Sequence, residues 1–197
     1  FYFLDIQNEQ LRKYLEQFIL DNEAGIFGDK KLSEIAIPPH LLERLLQKLS
    51  LQLIQAAMSG YIEQVWFLLD RGANLNLQTQ RGWTALMAAS LNGHTHTARL
   101  LLDRGANVEK QDQSGENALM SASRNGHIDI VRSLLYRGAN VDIQQQEGWT
   151  ALMLASQNGH TDVAKFLLEA GANVNLQTQQ GNTALMNASQ NGHTETA

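Results

Sequence analysis

The sequence predicts an all-α solenoid, a row of stacked helix pairs rather than a closed globule. Three series of glycines predict it, because each series advances in steps of 33 residues. Two short apolar patterns with helical spacing lie within each step, and helices of about ten residues are marginal alone in water. Each pair must therefore bury its apolar face against its neighbours. The glycines are Gly72, Gly105, Gly138 and Gly171; Gly82, Gly115, Gly148 and Gly181; Gly93, Gly126, Gly159 and Gly192.

The unit over residues 79–111 shows how each repeat is expected to fold. Thr84 is a suitable N-cap for a first helix that begins at Ala85. Gly93 suits the left-handed position that ends this helix. A second helix is predicted over residues 95–103, since its apolar side chains form one stripe. A turn-rich loop then leads to the next unit.

These units resemble the ankyrin repeat, whose pattern is G-x-T-P-L-H, then A-A-x-x-G-H, then L-L-x-x-G-A. The segments that carry the resemblance are Gly82-Trp-Thr-Ala-Leu-Met, Asn92-Gly93-His94, Leu101-Leu102 and Gly105-Ala106-Asn107. The match covers roughly residues 49–197. Alanine replaces the family's proline and methionine its histidine, and both changes are compatible with a helix and its packing. These positions are Ala85, Ala118, Ala151 and Ala184, and Met87, Met120, Met153 and Met186.

The period divides the chain into five units after a non-repeat segment. The first unit is degenerate, because Leu49 stands where the loop glycine would be. The last unit stops at Ala197, before its second helix, so we expect the natural protein to continue or a partner to cover this end. A monomer is expected unless that incomplete repeat self-associates. The predicted boundaries are 1–45 for the N-terminal segment, then 46–78, 79–111, 112–144, 145–177 and 178–197 for the repeats.

The segment before the repeats is predicted to be helical. Apolar side chains within the first 19 residues predict an amphipathic helix, and Gly25 and Gly28 a loop after it. Pro38-Pro39 predicts the start of a second helix, since proline suits the first helical turn. We interpret the segment as a cap over the first repeat, because an exposed repeat end needs a polar cover. The alternative is the tail of an upstream catalytic or targeting domain.

Composition excludes several classes of function for this chain. The 15 basic and 20 acidic side chains give a formal net charge of −5 and form no basic stripe, so we expect no nucleic-acid partner. No run of apolar residues is long enough to predict a membrane partner. The absence of cysteine excludes disulfides, thiolate metal sites and cysteine nucleophiles, and it fits a cytoplasmic location.

Periodic histidines form the strongest candidate metal site, but their spacing argues against it. Packed elements lie ~8–10 Å apart, whereas two ligands of one zinc ion must lie within ~4 Å. The ankyrin resemblance implies that this histidine bonds neighbouring backbone instead. We therefore predict no metal, no cofactor and no catalytic residue, and the periodic serines are interpreted as packing residues. The histidines are His94, His127, His160 and His193, and the serines Ser90, Ser123, Ser156 and Ser189.

The loop tips and the first helices are the predicted partner-binding site. Their side chains differ between repeats, so the fold does not dictate them, and by resemblance this concave face binds partners. Tryptophan and arginine dominate binding hot spots, although each tryptophan could instead pack over its own loop. The glutamines of the loops are expected to solvate the outer edge or to bond a partner strand. The predicted residues are Arg81, Trp83, Leu91, Asp112, Glu116, Arg124, Glu147, Trp149, Leu154 and Gln157.

These features predict a non-enzymatic scaffold that binds a protein or peptide on the concave face. The alternative is the targeting region of a larger enzyme, or of a secreted bacterial effector, whose catalytic domain lies outside this chain. The near-identical units look similar to ankyrin proteins of intracellular bacteria and to some animal signalling scaffolds, and a bacterial effector would act in the host cytosol. A ligand-sensing scaffold is a third possibility.

Overall fold

A computed structural model describes residues 39–196 of the chain. They form nine α-helices joined by turns, with no β-strand in this range. Among these helices, none has both the length and the apolar character that a membrane crossing needs. The predicted helix of the first 19 residues and the loop at Gly25 and Gly28 lie outside the described range. The helices are α1 (Pro39–Ser59), α2 (Ile62–Asp70), α3 (Ala85–Leu91), α4 (Thr95–Asp103), α5 (Ala118–Arg124), α6 (Ile128–Tyr136), α7 (Ala151–Gln157), α8 (Thr161–Glu169) and α9 (Ala184–Gln190).

The helices pack in two rows, which confirms the predicted all-α repeat solenoid. The first row contains α1, α3, α5, α7 and α9, each packed on the next, and the second row contains α2, α4, α6 and α8. Each second-row helix also packs on the first-row helix that precedes it in the chain. A repeat is thus one helix from each row, and its neighbours supply most of the surface against which it is buried.

Local chemistry places the helix ends where the sequence predicts them. The Thr84 and Thr150 hydroxyls each accept a hydrogen bond from the backbone N–H three residues on, at 3.2 Å. Asn117 caps α5 in the same way, with its side-chain oxygen 2.9 Å from the Met120 nitrogen. At the other end of α3, Gly93 has a φ of 73°, a left-handed conformation that glycine adopts without strain. The predicted second helix over 95–103 is α4.

The first helix of the described chain is longer than its counterparts. Helix α1 begins at Pro39, as predicted, and continues without a break to Ser59. It therefore crosses the predicted boundary between residues 45 and 46, which lies inside one helix. Leu45, Leu49 and Leu53 are fully buried along it, because this one side packs against α2 and α3. No loop tip precedes the part of α1 that packs on α3.

The first-row helices supply most of the core in the middle of the stack. Leu86 of α3 is only 1% exposed, because α1 and α5 cover it from both sides. The equivalent Leu185 of α9 is 56% exposed, since within the described chain α9 has only α7 on one side. Ala188 of α9 is fully buried, because α9 packs firmly on α7 of the preceding repeat.

Candidate functional site

Consecutive loop tips are joined to each other through the backbone. The Gln113 N–H donates to the Arg81 carbonyl at 3.1 Å, and the Gln146 N–H donates to the Ser114 carbonyl at 2.9 Å. A Cβ atom on Gly82 would lie 2.7 Å from the Asp112 Cα atom, so only glycine allows the tips to approach this closely. The tips therefore form one continuous edge. We call the surface made by the tips and the first-row helices the tip face.

Glutamine side chains also join the tips along this edge while remaining exposed to solvent. Gln113, Gln146 and Gln179 each donate from Nε2 to a carbonyl of the preceding tip, at 2.7 Å. Gln78 Nε2 donates at 2.8 Å both to the Gly82 carbonyl of its own loop and to a carbonyl of the following loop. Gln78 uses both of its amide hydrogens in these bonds, whereas Gln113, Gln146 and Gln179 each use one and keep the second for solvent or a partner strand.

The periodic histidines join the two rows of neighbouring repeats. His127 Nε2 lies 3.1 Å from the Leu91 carbonyl, and His160 Nε2 lies 2.9 Å from the Arg124 carbonyl. Because a carbonyl only accepts, each Nε2 carries the proton and donates. His94 and His193 make the equivalent bonds one repeat earlier and one later. The described residues contain no group of three or more side chains that could hold a metal ion.

An ion pair lies at the centre of the tip face. The Arg124 guanidinium at the end of α5 is 2.6 Å from a carboxylate oxygen of Glu116 in the third tip. The other carboxylate oxygen accepts a bond from the Ser121 hydroxyl at 3.0 Å. Arg124 and Glu116, both predicted site residues, thus neutralise each other's charge, although both are still partly exposed.

A groove opens beside this ion pair, between the tips of the third and fourth repeats. Its volume is about 400 Å³. Glu147 is exposed at its rim, and no described residue forms an ion pair with it. The groove therefore has one unneutralised negative charge beside an indole ring. Its lining residues are Ser114, Glu116, Arg124, Gln145, Gln146, Glu147, Trp149, Leu154 and Gln157.

A larger and more apolar groove lies at the start of the tip face, and the sequence analysis missed it. We call it the shelf, and its volume is about 760 Å³. Leu51 and Met58 of α1 are 46% and 39% exposed there, because α1 continues as a helix through Leu49, where the other repeats have a loop tip. The missing loop glycine at Leu49 is the sequence feature from which this groove could have been predicted. The shelf is lined by Gln47, Leu51, Ile54, Met58, Leu77, Gln78, Thr79, Gln80, Arg81 and Trp83.

A family model described as ankyrin repeats, three copies, matches residues 53–145 and 134–197. The chain belongs to the ankyrin-repeat family. No curated protein matches it. Ankyrin repeats are generic, non-catalytic modules of protein–protein interaction, so membership establishes this class of function but no particular partner.

The tip face of this ankyrin protein contains most of the predicted site residues, but the structure corrects one of them. Leu154, a predicted partner-binding residue, is only 2% exposed, so the expectation that its side chain is accessible to a partner is wrong. Ala88, Ser121 and Asn187 occupy the same position in their repeats and are buried too. The physical reason is that this position faces the preceding first-row helix, which buries it even in α9, where no following helix is described.

Asp112 has a structural role in its loop. One carboxylate oxygen accepts bonds from the backbone nitrogens of Ser114 and Glu116, at 2.8 and 2.9 Å. The Ser114 hydroxyl donates to the same oxygen at 2.7 Å. A carboxylate that accepts three bonds from its own turn fixes the shape of that tip. Its availability to a partner is correspondingly reduced.

The two tryptophans of the tips are partly buried. Trp83 and Trp149 both pack against the hydrophobic core, and each also lines a groove, the shelf for Trp83 and the smaller groove for Trp149. Packing over the loop and contact with a partner are therefore compatible for the same ring. Arg81 is exposed, and Leu91 and Gln157 are half-buried at the ends of their helices.

The periodic serines are buried in the middle of the stack, as a packing role requires. Ser90 and Ser123 are fully buried, and Ser156 nearly so. Ser189 is exposed, because α9 lacks a following first-row helix within the described residues.

Proposed function

We propose that this protein binds a protein or peptide partner on the tip face, without catalysing a reaction on it. The two grooves carry the proposal, since they are open, adjacent to tryptophan rings and lined by side chains that differ between repeats. Aromatic and arginine side chains are enriched among binding hot spots, and here they line both grooves. Long composite surfaces of this kind suit macromolecules better than small molecules.

Recurring and non-recurring positions of the repeat have different roles, and this difference supports the proposal. The side chains that recur with the period, such as His127 and Gln146, make their hydrogen bonds inside the stack. Arg81 and Glu147 occur at non-recurring positions of the tips, and both are exposed without an ion pair to any described residue. Residues that the fold does not use are the ones that a partner can use.

A charge-exchange variant tests the proposal. The double substitution Arg81→Glu with Glu147→Arg leaves the net charge unchanged and reverses both unpaired charges of the tip face. The matched control is Lys165→Glu with Glu169→Arg, which exchanges two exposed charges on α8, outside both grooves. Proteins captured from eukaryotic cytosol by the full chain are quantified against both variants, after thermal unfolding has shown that all three are folded.

We expect a set of captured proteins that the control retains and the tip-face variant loses. Like-charge contacts across an interface cost several kcal/mol, so the loss should be large enough to see by quantitative mass spectrometry. If the tip-face variant retains every protein that the wild type captures, the tip face is not the binding surface and the proposal fails.

A further inference from the structure

We propose that the tip face accepts an extended peptide segment with two anchors, a large apolar side chain on the shelf and a basic side chain in the groove beside Glu147. This inference rests on the proposed function and deepens it, because it states the chemistry of the partner. It follows from the different lining of the two grooves and from the distance between them.

The shelf suits an apolar anchor. Leu51 and Met58 expose apolar surface on one side of it, and Trp83 contributes a ring on the other. Covering such side chains removes apolar area from water, which is the main favourable contribution in most association. Arg81 also lines the shelf and disfavours a basic side chain there. The two grooves therefore accept different side chains.

The second groove suits a basic anchor. Of its charged residues, Glu116 and Arg124 already neutralise each other at 2.6 Å, whereas Glu147 has no ion pair with any described residue. The ring of Trp149 lines the same groove, and a guanidinium or ammonium group is attracted to the face of an indole. A cation that enters the groove thus meets an unpaired carboxylate and an aromatic ring together.

The distance between the grooves sets the length of the segment. They lie two repeats apart in the stack, and packed helices are ~8–10 Å apart, which gives a separation of ~16–20 Å. An extended chain advances ~3.3 Å per residue, so this distance corresponds to about six residues. An even number also places both side chains on the same side of an extended chain. A helical segment would need about eleven to thirteen residues for the same distance.

Selection from a displayed library of random peptides tests this inference. Peptides of about 16 residues can hold the two anchors in either an extended or a helical form. The full chain is used as the target, in parallel with Glu147→Gln and with the matched control Glu169→Gln. We expect enriched peptides to carry Arg or Lys about six residues from a large apolar residue. This enrichment should persist with the control and disappear with Glu147→Gln.

Affinity measurements on one enriched synthetic peptide then test each anchor. Glu147→Gln should weaken binding about two- to fivefold, as expected for an exposed ion pair, and Glu169→Gln should leave it unchanged. Met58→Ala should weaken binding about tenfold, as expected for a residue at an apolar hot spot, and its thermal unfolding must match the wild type.

Several results would overturn the inference. They are the absence of any enrichment, enriched peptides without a basic residue, a spacing of about eleven to thirteen residues, or equal selection by Glu147→Gln. The proposed function is judged separately. Peptides that lose binding to the Arg81→Glu, Glu147→Arg variant but show no basic preference would remove this inference and leave the tip face as a binding surface.

Discussion

Arg124 donates a 2.6 Å hydrogen bond to the carboxylate of Glu116 and so joins the end of helix α5 to the tip of its own repeat. The equivalent positions in the second and fourth repeats hold Trp83 with Leu91, and Trp149 with Gln157. The third repeat therefore places a neutralised polar pair between the two tryptophans of the tip face.

This ion pair should contribute measurable but modest stability. A double-mutant cycle with Glu116→Gln and Arg124→Met is expected to give a coupling free energy of about 0.5–1 kcal/mol, because the pair is well aligned but partly exposed. The coupling should fall as salt rises towards ~1 M, since screening weakens exposed pairs. Urea unfolding of the four proteins measures it. A coupling that is zero at low salt would show that the pair does not form in solution.

The histidine at the start of each second helix should stabilise the stack through its bond to the preceding repeat. His127→Ala removes the donor to the Leu91 carbonyl and is expected to lower the free energy of unfolding by about 1 kcal/mol. His96 is exposed on α4, so His96→Ala is the control, with an expected change within about 0.5 kcal/mol. Equal changes in urea unfolding for the two variants would contradict this role.

Two glycines with the same backbone conformation should respond differently to alanine. Gly93 and Gly105 have φ values of 73° and 85°, so alanine is strained at both. A Cβ atom at Gly93 would lie 2.6 Å from the His127 ring, whereas nothing lies within 4 Å at Gly105. Gly105→Ala should cost about 1 kcal/mol and Gly93→Ala about 1–3 kcal/mol more.

The His127→Ala background separates the contact from the strain. With the ring removed, Gly93→Ala should cost no more than Gly105→Ala, so the substitutions at 93 and 127 should be strongly non-additive. Thermal or urea unfolding of the single and double variants gives the comparison. Additive costs at these two positions would mean that the ring and the glycine are not in contact.

The hydrogen bonds that glutamine side chains make to the preceding tip, here called the glutamine ladder, can be tested with a similar pair of variants. Gln146→Glu replaces the amide donor to the Gln113 carbonyl by a carboxylate oxygen, which repels it, and should cost about 1–2 kcal/mol. Gln80 is at the equivalent position of the first tip of the described residues, which include no earlier tip to accept a bond. Gln80→Glu makes the same change in net charge and should alter stability by less than about 0.5 kcal/mol. Urea unfolding that ranks the two variants in the opposite order would refute the ladder.

The parts of the fold that local chemistry decides could be predicted from the sequence. Thr84 and Gly93 determine where α3 begins and ends, because a cap and a left-handed residue act within one turn of chain. The period predicts the row of helices for the same reason, since each unit repeats the same apolar face. The tip positions of Arg81 and Glu147 also follow from their place beside a turn glycine.

Features that depend on the distance between repeats could not be predicted in this way. The burial of Leu154 depends on how closely α7 is covered by its neighbours, and a helical wheel with a single apolar face underestimates that cover. The donor direction of Gln146 depends on the approach of two tips, which involves backbone atoms about 33 residues apart. The shelf at Leu51 results from a loop tip that is missing, and a repeat pattern indicates only the elements that are present.

Asn117 offers a way to stabilise the third repeat. Its Oδ1 atom caps α5, but its Nδ2 atom is buried and has no hydrogen-bond partner among the described residues. Threonine occupies this position in the second, fourth and fifth repeats and caps with its hydroxyl. Asn117→Thr keeps the cap acceptor and removes the unpaired donor, so it should raise the free energy of unfolding by about 1 kcal/mol.

The control is Asn117→Ala, which removes the cap together with the unpaired donor and should lower stability by about 1 kcal/mol relative to Asn117→Thr. The reverse substitution, Thr150→Asn, should destabilise the fourth repeat, because it introduces the same buried amide into an equivalent site. Urea unfolding of the three variants measures these differences. Destabilisation by Asn117→Thr would show that the buried amide has a partner in solution, such as an ordered water molecule, whose bond outweighs the cost of burial.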